Sequence, residues 1–262
     1  MTDQQPTASE SKINQIKALF AKGNDPGVTP EEAEIYLSKA AELMERYNLD
    51  EAILQVEAAG GVVTNEEIVK FRWTINTKGG HAISRRTAYF AVIHAMGARG
   101  YYVEAKKQRY VDREMTITII AQASVIESIK LFLPAMELTM ERLADQEAKR
   151  ATREAKYYGT LYSNTGCNAR RGFMIGFGEG IAERIRASHK AIKDQYQAGS
   201  TGALVLANRV TALDTYMDKN HSDLVPGRGR QRFDEGSRHL GKQAGRAYAS
   251  PNLGSTGQKA IG

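Results

Sequence analysis

Val69-Lys70-Phe71-Arg72-Trp73-Thr74-Ile75 decides the fold class, because apolar and polar side chains alternate there with the period of a half-buried strand. Everything before this run has helical spacing. After it, the pattern predicts a helix over 84–96 that stops at Gly97, then strands at 101–107 and 114–120. In the second of these, Met115, Ile117 and Ile119 share one face. The order is β-α-β-β. A long helix is expected from Ser124 to about Lys156, with Pro134 placed to kink it and a charged, solvated second half. The chain therefore reads as α-rich α+β.

Upstream, Ile13, Ile16, Leu19 and Phe20 recur at helical spacing, and Gly23 follows as a left-handed terminator. Thr29-Pro30-Glu31-Glu32 then combines an N-cap, a proline at the first helical position and an acid that complements the dipole. The apolar stripe Ala33, Tyr36, Leu37, Ala40, Leu43, Met44 and Tyr47 follows, and a third helix is expected over 51–58. Downstream, Gly172, Gly176 and Gly180 fall four residues apart on one helix face. Gly241 and Gly245, with Ala244 and Ala247, repeat the device. Such faces let two helix backbones approach closely, so these two are expected to pack against each other across an intervening helix over about 203–217. The expected organisation is an N-terminal helical module over 1–59, a small α+β domain over 60–156 and a helical region over 157–262.

Composition bounds the function. With 42% hydrophobic and 25% charged residues in 262, the chain has the usage of a folded globular protein. Cys167 is its one cysteine and cannot form an internal disulfide, which fits a reducing compartment. Neither a signal peptide nor a membrane span is read in it, and a cytoplasmic location is expected. Charge is uneven. Residues 1–80 carry eight basic and thirteen acidic side chains, net −5, whereas residues 81–262 are net +11. An acidic head on a basic body favours a polyanionic partner, since phosphates exchange condensed counterions for Lys and Arg.

Two stretches sharpen that expectation. Lys149, Arg150, Arg153 and Lys156 lead into Tyr157, Tyr158 and Tyr162 and then Arg170 and Arg171, interleaving phosphate-binding cations with rings able to stack on bases. Pro226-Gly227-Arg228-Gly229-Arg230-Gln231-Arg232 is a basic loop whose glycines let amides approach phosphates. The candidate contacts are thus Arg150, Arg153, Lys156, Tyr157, Tyr158, Arg170, Arg171, Arg228, Arg230 and Arg232, on DNA or RNA. Both stretches also read as ordinary solvated surface. A second function class is an interaction protein that docks its acidic N-terminal helices, within 13–58, on a host or partner protein.

Catalytic chemistry is less legible. Gly176-Phe177-Gly178-Glu179-Gly180-Ile181 evokes a dinucleotide fingerprint, but its last glycine is missing and helical periodicity runs through it. Glu104-Ala105-Lys106 has the spacing of a metal-dependent nuclease and lacks an adjacent second carboxylate, leaving Glu66, Glu67, Asp112 or Glu114 to supply one. His81, His94, His189, His221 and His239 form no metal-binding pair. No cofactor, metal or catalytic residue is assigned.

The N-terminal residues also carry a likeness. Lys12-Ile13-x-x-Ile16-x-x-Leu19, followed by Ala40-x-x-Leu43-Met44-x-x-Tyr47-Asn48-Leu49-Asp50, resembles the helix pair of the domain-of-unknown-function 2786 family of bacterial and bacteriophage proteins. Arg170-Arg171-Gly172-Phe173-x-x-Gly176-Phe177, Ala182-Glu183-Arg184-Ile185 and Gly241-x-x-Ala244-Gly245 are similar to the second half of those proteins. The resemblance implies a bacterial or phage cytoplasmic setting and brings no catalytic residues.

Overall fold

The computed structural model describes residues 8–23, 66–75, 80–104, 115–195, 201–225 and 231–248, with isolated positions between 25 and 43 and residue 227. Its elements are α1 (Ala8–Gly23), β1 (Ile68–Ile75), α2 (Ala82–Ala95), β2 (Arg99–Glu104), β3 (Met115–Gln122), α3 (Ala123–Tyr157), α4 (Thr165–Gln195), α5 (Thr201–Asn220) and α6 (Glu235–Tyr248). The protein is α-rich α+β, as the alternation in β1 predicts.

The sheet is antiparallel, with strand order β1-β3-β2. Register puts Phe71 beside Ile119 and Gly100, and Trp73 beside Ile117 and Tyr102, on one face. Helix α2 covers that face. A Cβ on Gly100 would lie 3.3 Å from Ile93 and 3.4 Å from Phe90, so this glycine lets helix and sheet close together. Gly97, at φ 84°, ends α2, and the Ala98 amide reaches back to the Ile93 carbonyl, which starts β2 two residues earlier than the apolar pattern alone suggests. The opposite face carries Lys70, Arg99 and Tyr101 and meets α5. Lys70 sits over the Tyr216 ring, Arg99 pairs with Asp214 at 2.8 Å, Tyr101 packs on His221, and Gln122 donates to the Arg209 carbonyl.

Helix α3 leaves β3 directly and runs unbroken through Pro134, whose side is exposed. Its first half buries Ile129, Phe132, Leu133 and Met136, and Glu66 accepts from the Ser124 amide at 2.6 Å to cap its start. Helix α4 returns antiparallel along α3, with Gly166 beside Thr152 and Ala148. The two glycine faces then pack as expected. A Cβ on Gly172, Gly176 or Gly180 would lie 2.1, 1.9 or 2.2 Å from the carbonyls of Asp234, Arg238 and Lys242. Gly241 and Gly245 stand equally close to the carbonyls of Phe173 and Phe177. Helices α4 and α6 thus run parallel, backbone on backbone. Arg238–Glu179, Lys242–Glu183 and Arg246–Glu183 ion pairs flank the seam.

One hydrophobic cluster joins Ile16 of α1, the α2-facing sheet residues, the first half of α3, Phe173, Phe177 and Ile181 of α4 and Tyr248 of α6. It crosses the sequence positions 60 and 156 without a break. Thr29 and Glu32 form the expected reciprocal cap: the Glu32 amide donates to Thr29 Oγ1 and the Thr29 amide to Glu32 Oε2. The expected helix over 51–58 and the chain end from Pro251 lie outside the described residues.

Candidate functional site

The basic residues singled out in the sequence fall into two separate places. The first is the α3–α4 hairpin tip. Gly159, at φ 67°, stops α3, and the Thr160 amide closes on the Ala155 carbonyl at 2.8 Å, so the chain reverses within a few residues. Tyr157 is 83% exposed, and Tyr158 and Tyr162 are 73% exposed. The rings of Tyr157 and Tyr158 meet edge to face at 5.0 Å. Arg153 and Lys156 are exposed on the same last turns, and among the described residues neither has a carboxylate partner. Arg150 differs. It holds Glu147 through two bonds of 2.6 and 2.8 Å and also pairs with Glu154, and these carboxylates, Glu147 first, raise its pKa further. Glu147 in turn is buried and accepts from the Ser237 hydroxyl, so Arg150 serves the α3–α6 contact.

Arg170 and Arg171 belong to the second place. Arg170 pairs with Glu141 at 2.6 Å and Asp145 at 2.8 Å. Lys156, eleven residues beyond Asp145, is therefore roughly 16 Å farther along α3. A stretch continuous in sequence is split by the hairpin. Arg171 bonds weakly to Asn168 and, at 3.5 Å, to the Gly80 carbonyl just before α2. The Gln231 amide reaches the same carbonyl at 3.4 Å while Ser84 donates to its Oε1 at 2.6 Å. Gly227 lies against Tyr102, whose ring carries the Arg86 guanidinium at 3.8 Å. The end of the basic loop is thus brought beside Arg171, with Arg232 exposed. Arg228 and Arg230 lie outside the described residues.

This second place includes three residues that the sequence reading passed over: His81, Arg85 and Arg86. The available signal was Gly79-Gly80 ahead of a helix start, followed within two turns by a pair of arginines. Arg85 is 3% exposed and donates to Glu141, so this carboxylate bridges two guanidiniums. Burial raises the Glu141 pKa, but its bonds and charge contacts with Arg85 and Arg170 outweigh that and hold it below the ordinary range. His81 is 7% exposed. Burial, then the positive charges of Arg170, Arg85 and Arg171, bring its pKa down to about 4, so its ring is neutral near pH 7.

The remaining candidates resolve simply. The glycines of the dinucleotide-like run lie inside α4 with no strand before them, so the turn that fingerprint requires is absent there. Glu104 ends β2, while Lys106, Asp112 and Glu114 lie outside the described residues. Glu66 is held by Arg209 and Ser124. Among the described residues no group of three His, Cys, Asp or Glu side chains is placed to hold a metal ion. None of their helices is long and apolar enough to cross a membrane. Cys167 is a half-buried free thiol.

Residues 11–51 match the model of the family described as protein of unknown function (DUF2786). This segment is a DUF2786 domain. It begins within α1 and takes in the Thr29–Glu32 cap, so the helix-pair signature is a recognised unit. The DUF2786 domain contributes Ile16 to the shared core, and both basic places lie outside it. No curated protein and no solved structure matches the chain.

Proposed function

We propose that this is a nucleic-acid-binding protein that engages DNA or RNA through the α3–α4 hairpin tip. The observation that carries the reading is three tyrosines at 73–83% exposure beside two cations with no carboxylate partner among the described residues. Large rings so exposed gain nothing from the core. Stacked on bases they contribute about 1–3 kcal/mol each, and Arg153 and Lys156 are spaced to take the adjoining phosphates. Unstacked bases suit such a platform, so single strands are preferred over duplex. Arg232, with Arg228 and Arg230, adds backbone contacts that carry no sequence information.

Fluorescence anisotropy of the full chain against labelled single-stranded DNA, duplex DNA and RNA tests this at about 50 and 200 mM salt. Binding should fall steeply with salt. Arg153→Ala with Lys156→Ala should reduce the slope of log K against log salt by up to about two. Tyr158→Ala should weaken single-strand binding about tenfold with the slope unchanged. No binding to any of the three probes at low salt overturns the reading.

A further inference from the structure

We infer that the corner where Gly80 and His81 enter α2 binds one tetrahedral oxyanion, a phosphate group, held by the first-turn amides of α2, His81, Arg170 and Arg171. The proposal goes beyond the hairpin tip and does not depend on it. Helix α2 begins at His81 without a side-chain cap and without an acidic residue in its first turn, so its positive end is unopposed by the chain. That alone is common.

What marks this corner is a set of buried nitrogens without partners. His81 Nδ1, Arg170 Nε and Arg171 Nε are each shielded from solvent and make no hydrogen bond. Guanidinium Nε groups can only donate, and the Nδ1-protonated tautomer of the neutral His81 ring donates too. The three groups are mutual neighbours, since Arg170 and Arg171 both act on the His81 ring and Arg171 bonds to the adjoining Gly80 carbonyl. Donors buried without an acceptor are rare in folded proteins and call for a filled acceptor position.

Charge and space select what fills it. Arg85, Arg170 and Arg171 face two carboxylates, Glu141 and Asp145, and among the described residues none pairs with Arg171. A water would satisfy hydrogen bonds but leave that charge uncompensated, whereas an oxyanion meets both needs. Gly80 adopts φ 69°, is exposed, and has nothing within 4 Å of the position a Cβ would take, which leaves the approach open. A left-handed glycine leading into free helix amides is the backbone arrangement suited to phosphate oxygens.

The test titrates the full chain with inorganic phosphate at constant ionic strength, chloride being the control. It follows the His81 ring resonances and the thermal midpoint. Saturable shifts of the ring signal with phosphate and not chloride are expected, with the midpoint rising by mass action. Arg171→Gln, which removes no ion pair of the described residues, should weaken phosphate binding about tenfold. Tyr158→Ala, at the hairpin tip, should leave it unchanged, so loss of nucleic-acid binding and loss of this site are read separately. A nucleoside 5′-monophosphate that competes more tightly than phosphate identifies the source as a phosphoester; phosphate binding without such competition identifies the free ion. Linear, unsaturated shifts, or equal saturation in Arg171→Gln, mean that water fills the corner and overturn the proposal.

Discussion

His81 shows how a residue's chemistry follows from its neighbours. Its pKa falls from the ordinary 6.5 to about 4 because burial and three guanidiniums disfavour a further positive charge. The unfolded chain takes up that proton first. The stability His81 contributes is therefore complete above about pH 6.5, declines as pH falls toward 4 and is lost below it, a change on the order of 3 kcal/mol. Urea midpoints at pH 7 and pH 5 should differ more for the natural chain than for His81→Gln. Burial and the charges of Arg99 and Arg186 lower His94 as well, so the His81 share is the difference between the two chains. Equal pH dependence in both would remove His81 from this role. None of this was legible in the sequence, where His81 is one of five histidines without a pattern. The field around it comes from Arg170 and Arg171, which are almost ninety residues away in the chain.

At the scale of elements, the α4–α6 seam is the most exacting contact in the fold. Alanine in place of Gly176 gains about 1 kcal/mol of helix propensity. It also puts a methyl 1.9 Å from the Arg238 carbonyl, which is backbone and cannot swing aside. The clash wins, and Gly176→Ala should lower stability by about 1–3 kcal/mol and the thermal midpoint by roughly 3–10 °C. Arg246→Ala removes only an ion pair at the rim, 56% exposed on the arginine side, and should cost less than about 1 kcal/mol. Calorimetry on the two variants decides whether glycines or charges hold the helices. The four-residue glycine spacing made this pairing readable in advance, because only small side chains bring two backbones so near. That the helices run parallel was not readable.

Over the whole molecule, that parallel arrangement requires the chain to travel back from the end of α4 to the start of α6. Helix α5 and residues 221–234 make the return, laying α5 on the second face of the sheet. The Arg209–Glu66 pair, 18% exposed on each side, fixes it there, and Glu66 at the same time caps α3. Glu66→Ala should cost about 1–3 kcal/mol, less than a fully buried pair because solvent reaches both groups. Hydrogen exchange should quicken in α5 and the first turn of α3 before it does in α4 and α6. Uniform loss of protection would mean that α5 is not separately anchored.

By itself the sequence determined what depends on near neighbours. Strand β1 follows from alternation, the Thr29–Glu32 cap from two side chains three residues apart, and the close-packing faces from glycine spacing. These are properties of one turn or one strand face, fixed within a few residues. Only the tertiary structure decided which charges are spent inside the protein and which face outward. Arg150, Arg153, Arg170 and Arg171 look alike in the chain, yet Arg150 and Arg170 are held by carboxylates, Arg153 stands at an exposed tip, and Arg171 meets Gly80 at the mouth of α2. The reason is reach: a guanidinium's partner is set by whichever helix folds back beside it, and that is a matter of the whole chain.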